Sequence, residues 1–596
     1  MANFFSVRFL AVFSHLILGN AKNGRRNGRK VGRKMRIIKK ICFASALISL
    51  ILSALLSCGV GGGECEHTYL AWRTESASTC ILQGSLVREC SACGRIERQP
   101  IPLGDHSFEE GLCSVCGVHA PDPALCEHKD ENSNDVCDLC NISVAVVLNF
   151  FAINDLHGKI FDTDKQPGVD ELTTYLEKAG GDDGNTIVLS SGDMWQGSSE
   201  SNLTRGEITT EWMNEIGVVS MTLGNHEYDW ANGYIYKNLE LADFPFLAIN
   251  IYDRETDERV PYAEPSVTLE VDGIKIGIIG AIGDCYSSIS ADKVTDIYFK
   301  TGYALTSLVK AESERLRDEG CDYIIYSLHD GATESGKKMI SDSRLSSYYD
   351  ISLSRGYVDL VFEAHTHHDY ILTDSEGVYH IQAGAENTAI SHAEVKFNYV
   401  NDTSRVSYID TVSSYVYGGE QSDEIVSELY EKYAEEIAKG NELLGVTDEY
   451  LGSYTLKQLV ADLYALEGEQ RWGEKYDLVL GGGFISARSP YDIPAGDVYY
   501  KDVYEIFPFD NELCLCSISG RDLLNKFINS SNSNYYIAVT EYGSSLKIEE
   551  DATYYLVTDS YSSYYAPNRL TIIEKLDEEL YARDLISEYI KETWGN

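Results

Sequence analysis

Five strand-like segments of this chain each end in side chains that can bind a metal ion. The segments are apolar and rich in β-branched residues, which favours buried strands. They cover residues 144–153, 186–189, 218–223, 321–327 and 358–362. The polar residues that follow them are, in chain order, Asp155, His157, Asp193, Asn225, His329, His365 and His367. Because ligand sites of layered α/β folds collect at the carboxyl ends of strands, the pattern predicts such a fold with a metal centre at that edge.

The chemistry of these seven side chains restricts which metal they suit. Any one of the motifs alone is weak, since a single Asp-x-His occurs more often in a surface loop than at a metal. Together they supply enough oxygen and nitrogen donors for two divalent cations that share one carboxylate. Mixed imidazole and carboxylate ligands favour Zn²⁺, Mn²⁺, Fe or Co over Ca²⁺ and Mg²⁺.

The motifs resemble those of the 5′-nucleotidase/UDP-sugar hydrolase family of calcineurin-like dimetal phosphoesterases. The resemblance runs from about residue 144 to the C-terminus and includes Asn154-Asp155-Leu156-His157-Gly158 and Gly224-Asn225-His226-Glu227. It implies a calcineurin-like layered β-sandwich flanked by helices. It also implies a first metal held by Asp155, His157, Asp193 and His367, and a second held by Asp193, Asn225, His329 and His365. Two positions differ mildly from the family: Ala364 stands where glycine is usual, and His367 where some members have glutamine.

The same resemblance implies a catalytic role for two further residues. His226 directly follows Asn225, and Asp229 lies three residues later. In the family this pair stabilises the transferring phosphoryl group and assists the leaving oxygen, with the carboxylate orienting the imidazole. An alternative role for Asp229 is to cap a helix that begins near residue 230.

The C-terminal part resembles the substrate domain of the same family, with changes at its recognition motifs. An amphipathic helix predicted over residues 423–438 would link the two domains, and an α+β domain would follow it. The glycine run 481–483 has Leu480 and Ile485 where the family has asparagine and arginine, and the nearest arginine is Arg488. Residues 561–566 replace the family's Gly-Gly-Asp-Gly loop. The predicted substrate-binding residues are Phe509, Tyr561 and Arg488, and the alternative for the two aromatic residues is ordinary core packing.

Nine of the 15 cysteines lie between residues 65 and 140, interspersed with histidines. Paired C-x-x-C knuckles and C-x-H spacings are typical of structural zinc sites, and this region resembles small bacterial zinc-ribbon modules. The predicted ligands are Cys65, His67, Cys90, Cys93, Cys113, Cys116, Cys126, His128, Cys137 and Cys140. The alternative is oxidation to disulfides, because exported cysteines commonly form them.

The N-terminus has the composition of an export signal. Residues 1–63 contain 11 Lys and Arg and no acidic residue, and an uncharged run over 41–56 follows basic positions. The run ends in Leu55-Leu56-Ser57-Cys58, which resembles a bacterial lipobox whose cysteine is lipidated. Met35 would then be the natural start. The alternatives are an ordinary signal peptide and an uncleaved anchor.

Charge excludes one class of partner. All 93 acidic residues lie beyond the basic N-terminus, and the whole chain has a formal charge of −44. The acidic part of the chain repels the phosphate backbone of nucleic acids, so nucleic-acid binding is not expected.

The sequence therefore predicts an exported, lipid-anchored dimetal phosphohydrolase acting on nucleotides or related small phosphoesters. Its predicted parts are a leader (1–57), a tether with zinc ribbons (58–141), a metallophosphatase domain (144–420), a linker helix (421–445) and a substrate domain (446–596). One alternative is a phosphodiesterase or pyrophosphohydrolase with the same metals, acting on cyclic nucleotides or UDP-sugars. The other is a surface protein that binds nucleosides without turnover, which the altered C-terminal motifs favour.

Overall fold

The computed structural model separates into two compact units, residues 1–120 and residues 121–596. It describes residues 67–78, 83–102, 108–109, 112–113, 128–138, 142–162, 167–180, 184–332, 357–374, 376–417, 423–476, 479–485, 487–488, 492–529, 535–539, 547–564, 570–576 and 580–595. Within these ranges, no helix is both long and apolar enough to cross a membrane.

The first unit contains short antiparallel strands. Three of them, β1 (Arg73–Ser76), β2 (Gly84–Glu89) and β3 (Ile96–Ile101), form one sheet in that order. Two more, β4 (Phe108–Glu109) and β5 (Leu112–Cys113), form a separate hairpin.

The second unit begins with two six-stranded sheets. Their strands and those of a small ribbon are β6 (Ala145–Ile153), β7 (Thr186–Ser190), β8 (Val218–Thr222), β9 (Phe246–Leu247), β10 (Ile251–Asp253), β11 (Ser266–Val271), β12 (Ile274–Ile282), β13 (Ile297–Phe299), β14 (Tyr323–His329), β15 (Leu360–Glu363), β16 (Asp369–Thr373), β17 (Tyr379–Ala383), β18 (Ala389–Asn398) and β19 (Thr403–Ser413). One sheet has the order β19-β18-β6-β7-β8-β9 and the other the order β11-β12-β14-β15-β17-β16. The strands that carry the predicted ligands are β6, β7 and β8 in one sheet and β14 and β15 in the other, and within each sheet these strands run parallel to one another.

The two sheets pack face to face through an apolar core. Leu148 and Phe150 of one sheet share this core with Ile276, Ile325 and Phe362 of the other, and all five are fully buried. Strands with both faces covered read as near-continuous apolar runs, which is why the sequence identified them. The predicted layered sandwich is thereby confirmed.

Helices cover the outer faces of the sandwich and lead to the C-terminal part. They are α1 (Asp170–Gly180), α2 (Ser199–Thr204), α3 (Glu207–Glu215), α4 (Asn232–Leu241), α5 (Tyr303–Asp318), α6 (Ser414–Tyr417), α7 (Asp423–Lys432) and α8 (Ala434–Gly440). Short 3₁₀ turns cover His226–Tyr228, Asp284–Ser288 and Ala291–Lys293. The continuous helix predicted over residues 423–438 is wrong in one respect, because Tyr433 leaves helical geometry (φ −104°, ψ 27°) and divides it into α7 and α8.

The C-terminal part has its own sheet and core. Its strands are β20 (Leu443–Thr447), β21 (Val479–Phe484), β22 (Gly496–Tyr499), β23 (Leu513–Ser519), β24 (Tyr535–Val539), β25 (Thr553–Asp559) and β26 (Thr571–Lys575). Five of them form a sheet in the order β24-β21-β25-β23-β26, and β20 pairs with β22. The helices are α9 (Ser453–Trp472), α10 (Tyr500–Ile506), α11 (Gly520–Asp522) with a π-helical continuation (Leu523–Ile528), α12 (Ser560–Tyr564) and α13 (Ala582–Trp594). This mixed α+β arrangement is the one predicted for the substrate domain.

The described residues 128–138 pack against the sandwich of the second unit. Asp130 accepts a hydrogen bond from the Asn398 side chain, and Asp135 pairs with Arg405 of β19. This segment therefore contacts β18, the neighbour of β6, and the edge strand β19.

Candidate metal centre

The structure brings all seven predicted metal ligands together where the two sheets meet. Donor atoms of Asp155, His157 and His367 lie within 4.8 Å of one another, and so do those of Asp155, Asp193 and His329. The Nε2 atoms of His157 and His367 are 3.1 Å apart. Asn225 Oδ1 lies 3.2 Å from His329 Nε2, and His329 and His365 belong to a third close group that includes Cys285. Residues distant in the sequence thus form one cluster.

The loops that carry these ligands have an unusual backbone. Five of the seven have a positive φ, between 48° and 70°: Asp155, His157, Asp193, His365 and His367. The left-handed region is uncommon for any residue other than glycine, and it is concentrated at functional sites where the surrounding structure stabilises it. The conformation turns each side chain back across the strand ends toward the cluster.

Hydrogen bonds to the backbone orient two of the imidazoles. His157 Nδ1 lies 2.8 Å from the carbonyl oxygen of Gln196, and His329 Nδ1 lies 2.8 Å from that of Ser191. When each imidazole is neutral, as it must be to bind a metal, the nitrogen that faces the carbonyl carries the proton and the lone pair is on Nε2. Both Nε2 atoms face the cluster, which is how proteins usually prepare histidine to bind a metal.

The charges in the cluster are arranged to accept cations. Burial alone would raise the pKa of Asp193, but His329 and His226 hold it well below its usual range. Burial alone would likewise lower the pKa of His329, but the carboxylates of Asp193 and Asp155 raise it to about 10. Asp193 Oδ2 is buried with no hydrogen-bond donor directed at it, although His329 Nε2 is only 3.2 Å away as an ion-pair partner. An orphaned carboxylate oxygen among inward-facing imidazoles fits a dimetal centre.

Sequence reasoning missed Glu227, which organises two of the ligand loops. Its fully buried carboxylate accepts the backbone N–H groups of Asp193 (3.0 Å), Met194 (2.8 Å) and Gly224 (2.7 Å). Burial and the nearby Asp193 raise the pKa of Glu227 to about 7. Its position inside the motif was visible, but nothing in the sequence indicates that the side chain turns inward to bind backbone. Gly224 is required here, because a Cβ atom would lie 2.3 Å from Asp193 Oδ1.

The predicted catalytic pair lies beside the cluster. His226 Nδ1 is 2.7 Å from Asp229 Oδ2, and the His226 ring lies 5.4 Å from that of His157. Asp229 ends the 3₁₀ turn, whereas α4 begins at Asn232 with Ala231 as its N-cap, so the helix-capping alternative for Asp229 is wrong.

Two residues of the C-terminal part, one cationic and one aromatic, lie beside His226. Arg488 Nη2 lies 2.6 Å from His226 Nε2. The ring of Phe509 stacks on that of His226 at 6.4 Å, with 28° between the planes. Tyr561, in α12, instead contacts the ring of Phe484 at 5.9 Å.

The first unit brings together three predicted zinc ligands. Donor atoms of His67, Cys90 and Cys93 lie within 4.8 Å of one another, and Cys93 Sγ is 3.3 Å from His67 Nδ1. Burial would raise the pKa of the Cys90 thiol, but hydrogen bonds from the Ala92 backbone and from His67 lower it to about 6. In the second unit, His128 packs edge-on against Tyr399 and Cys137 is buried. The other residues with a predicted role in the N-terminal region lie outside the described residues: Met35, Cys58, Cys65, Cys116, Cys126, Cys140 and the side chain of Cys113.

Comparison with known proteins agrees with this geometry. Residues 148–369 match the calcineurin-like phosphoesterase family, and residues 437–536 match the 5′-nucleotidase C-terminal domain. The chain thus joins a calcineurin-like phosphoesterase domain to a 5′-nucleotidase C-terminal domain. The predicted class, a metal-dependent phosphoester hydrolase, is confirmed by these matches.

Individual relatives match over more than half of the chain. Protein UshA of Yersinia enterocolitica is 26% identical over 420 residues, which cover 62% of this chain and 74% of that protein. A 5′-nucleotidase of Vibrio cholerae is 25% identical over 432 residues, covering 63% and 74%. Among solved structures, a putative 5′-nucleotidase from Staphylococcus aureus has the same fold, with a TM-score of 0.60 at 14% identity, covering 76% of this chain and 98% of its own.

Proposed function

We propose that this protein is an exported phosphohydrolase that releases phosphate from nucleoside 5′-monophosphates. The observation that carries the proposal is the meeting of Arg488 with His226, because it puts a cation from the C-terminal domain beside the predicted metal ligands. The Vibrio cholerae relative, which matches 63% of this chain, is named a 5′-nucleotidase, and this supports a nucleotide substrate.

The ligand assignment follows the sequence motifs. Two divalent cations (Zn, Mn, Fe or Co) would be held by the seven residues given above, with Asp193 between them. When bound, such a pair polarises phosphoryl oxygens and lowers the pKa of a water molecule. The buried, hydrogen-bonded loops keep the ligands in place without large rearrangement.

The remaining residues have separate tasks in the proposed reaction. To donate a hydrogen bond or a proton to the phosphoryl group and its leaving oxygen, His226, oriented by Asp229, would have to carry a proton on Nε2 and give up the hydrogen bond that Nε2 accepts from Arg488. Arg488 adds positive charge where negative charge develops in the transition state. Phe509 and Tyr561 would hold the base by stacking.

A substrate screen tests the proposal. Purified protein reconstituted with Mn²⁺, Zn²⁺ or Co²⁺ is assayed for phosphate release from AMP and UMP, 2′,3′-cyclic nucleotides and UDP-glucose. The expected result is preferential hydrolysis of the monophosphates. Turnover restricted to cyclic nucleotides or UDP-glucose would support the phosphodiesterase or pyrophosphohydrolase alternative, and binding without turnover would support a nucleoside-binding protein.

The N-terminal region has a structural role in this proposal. Zinc held by His67, Cys90 and Cys93 with a further ligand stabilises the small module, and lipidated Cys58 tethers the chain to the membrane. Elemental analysis of the purified protein should show zinc that EDTA removes with loss of the module's structure. A metal-free module with its thiols oxidised would contradict the zinc assignment. Radiolabelled fatty acid should be incorporated by the wild type and not by Cys58→Ser.

A further inference from the structure

Four buried side-chain oxygens around the start of α1 have no hydrogen-bond partner among the described residues. They are Asp170 Oδ1, Glu171 Oε2, Thr174 Oγ1 and Asn387 Oδ1. Asp170 and Thr174 are each 7% exposed and Asn387 is 4% exposed, so solvent does not satisfy these atoms. A buried oxygen without a partner costs free energy, which makes several of them in one place unusual.

The same residues belong to a tight group of carboxylates. Oxygen atoms of Asp162, Asp170 and Glu171 lie within 4.8 Å of one another. The Gly168 peptide connects this group to Asn387: its N–H donates to Asp162 Oδ1 at 2.5 Å, and its carbonyl accepts from the Asn387 side-chain amide. Through Gly168, the Asn387 side chain is thereby linked to Asp162 of the acidic group.

Like charges this close repel one another, and burial makes the repulsion stronger. Burial, together with Glu171 and Asp162, raises the pKa of Asp170 to about 7. Acidic residues at a helix N-terminus are normally stabilised by the free N–H groups of the first turn. The Glu171 backbone N–H does donate such a bond to the Asp170 carboxylate, but no donor is directed at Asp170 Oδ1 or Glu171 Oε2, so the helix end accounts for only part of the buried charge.

We propose that Asp162, Asp170, Glu171 and Asn387 form a binding site for a hard divalent cation of the Ca²⁺ type. The donors are carboxylate and amide oxygens, with no imidazole or thiol in the group, which is the ligand set that Ca²⁺ prefers over Zn²⁺ or Co²⁺. The site is separate from the predicted dimetal centre and uses none of its ligands, so the proposal does not depend on the proposed function.

Such a cation would stabilise part of the active-site scaffold. Asn387 follows Glu386, whose backbone N–H donates to the Asp155 carbonyl at 2.8 Å. Asp162 lies five residues after His157, in the segment that leads to α1. Bound Ca²⁺ would therefore join the segment leading to α1 with the loop that supports Asp155.

The experiment measures Ca²⁺ binding to the full-length protein saturated with Mn²⁺. Titration calorimetry should give one Ca²⁺ site, and the melting temperature should rise by several degrees in 2 mM Ca²⁺ relative to EGTA. Asp170→Asn and Glu171→Gln should each weaken Ca²⁺ binding at least tenfold and lose the temperature shift. Glu177→Gln, an exposed acid on the same helix, is the matched control and should keep both.

A second readout separates a cation site from simple packing. In EGTA at pH 8, Asp170→Asn should melt at or above the wild-type temperature, because the variant removes an unpaired buried charge. Absence of any Ca²⁺-dependent shift in the wild type overturns the proposal. So does a shift that survives in both variants, because Ca²⁺ would then bind elsewhere.

Discussion

Arg488 Nη2 lies 2.6 Å from Nε2 of His226, although 262 positions separate the two residues in the chain. A guanidinium has no acceptor atom, so the imidazole nitrogen must accept this hydrogen bond. The proton of a neutral His226 is then on Nδ1, where it donates to Asp229 at 2.7 Å. Asp229, His226 and Arg488 therefore form one directed chain that links the two domains beside the predicted metals.

Replacing Arg488 tests whether the hydrogen-bonded group of Asp229, His226 and Arg488 binds substrate. Arg488→Ala should reduce kcat/KM for AMP about 10- to 150-fold, because a hydrogen bond to a charged group contributes about 1.5–3 kcal/mol. Arg488→Lys should recover part of the loss, since it keeps the charge but not the planar geometry. Unchanged AMP kinetics in Arg488→Ala would mean that the substrate domain does not use this arginine.

Asp193→Asn tests the assignment of Asp193 to both cations. Loss of the shared negative charge should weaken both sites, so activity should fall by more than about 100-fold, beyond what removal of an outer hydrogen-bond partner costs. His367→Gln is the matched comparison, since it replaces one terminal neutral donor with another. The measurement is metal content and turnover of both purified variants. Two bound metals and near-normal rates in Asp193→Asn would refute the bridging assignment.

Glu227→Gln tests the residue that organises the ligand loops. An amide offers one acceptor oxygen and directs its NH₂ group at backbone N–H donors, so some of the present bonds must break. Metal affinity should fall about 10- to 100-fold, as for other residues that support metal ligands. Glu258→Gln, at an exposed position, should have wild-type affinity. Competition with a fluorescent chelator would measure both, and equal affinities would remove Glu227 from the metal scaffold.

The sequence predicted the metal ligands because each follows a strand that is buried on both faces. Residues 144–153 and 218–223 read as apolar runs, and the structure forms β6 and β8 there. Once such strands are parallel neighbours, their carboxyl ends meet whatever the loops contain.

Features that depend on side-chain direction were not predictable. Glu227 and Asp229 are acidic residues two positions apart in one motif. The Glu227 side chain turns inward and accepts backbone N–H groups, whereas that of Asp229 pairs with His226. No Gly or Pro marks the break at Tyr433, which is a buried core residue, so helix propensity alone did not predict it. The buried oxygens without a partner around Asp170 likewise include one from Asn387. That residue lies 217 positions away in the chain, and nothing in the sequence places it there.

Stability should depend on pH through Asp559. Burial raises the pKa of this carboxyl to about 7, while Ser562 N–H and Tyr464 donate to it. The unfolded chain ionises near pH 4, so the folded state keeps the proton longer and the free energy of unfolding falls between about pH 4 and pH 7, by about 1.4 kcal/mol per pH unit.

Asp559→Asn should remove that dependence. The variant should melt above the wild type at pH 8 and close to it at pH 4.5, because the amide is neutral throughout. Its Oδ1 can accept from Ser562 N–H, and its NH₂ group can donate to the Tyr464 hydroxyl oxygen. Asp551→Asn, at an almost fully exposed position, should show no difference at either pH. Calorimetric melting of metal-saturated proteins gives the comparison, and a stability gain that does not change with pH would exclude titration of Asp559 as its cause.

The aromatic residues Phe509 and Tyr561 distinguish a nucleotidase from a general phosphatase. Stacking on a base contributes about 1–3 kcal/mol, so Phe509→Ala or Tyr561→Ala should lower kcat/KM for AMP roughly 5- to 150-fold. For p-nitrophenyl phosphate, which is too short to reach both domains, the loss should be small. The decisive quantity is the ratio of the two kcat/KM values in each variant. Phe509 also stacks on His226, so Phe509→Leu is included to keep apolar contact there without an aromatic face. Equal losses for both substrates would mean that these rings only pack the domain and do not bind a base.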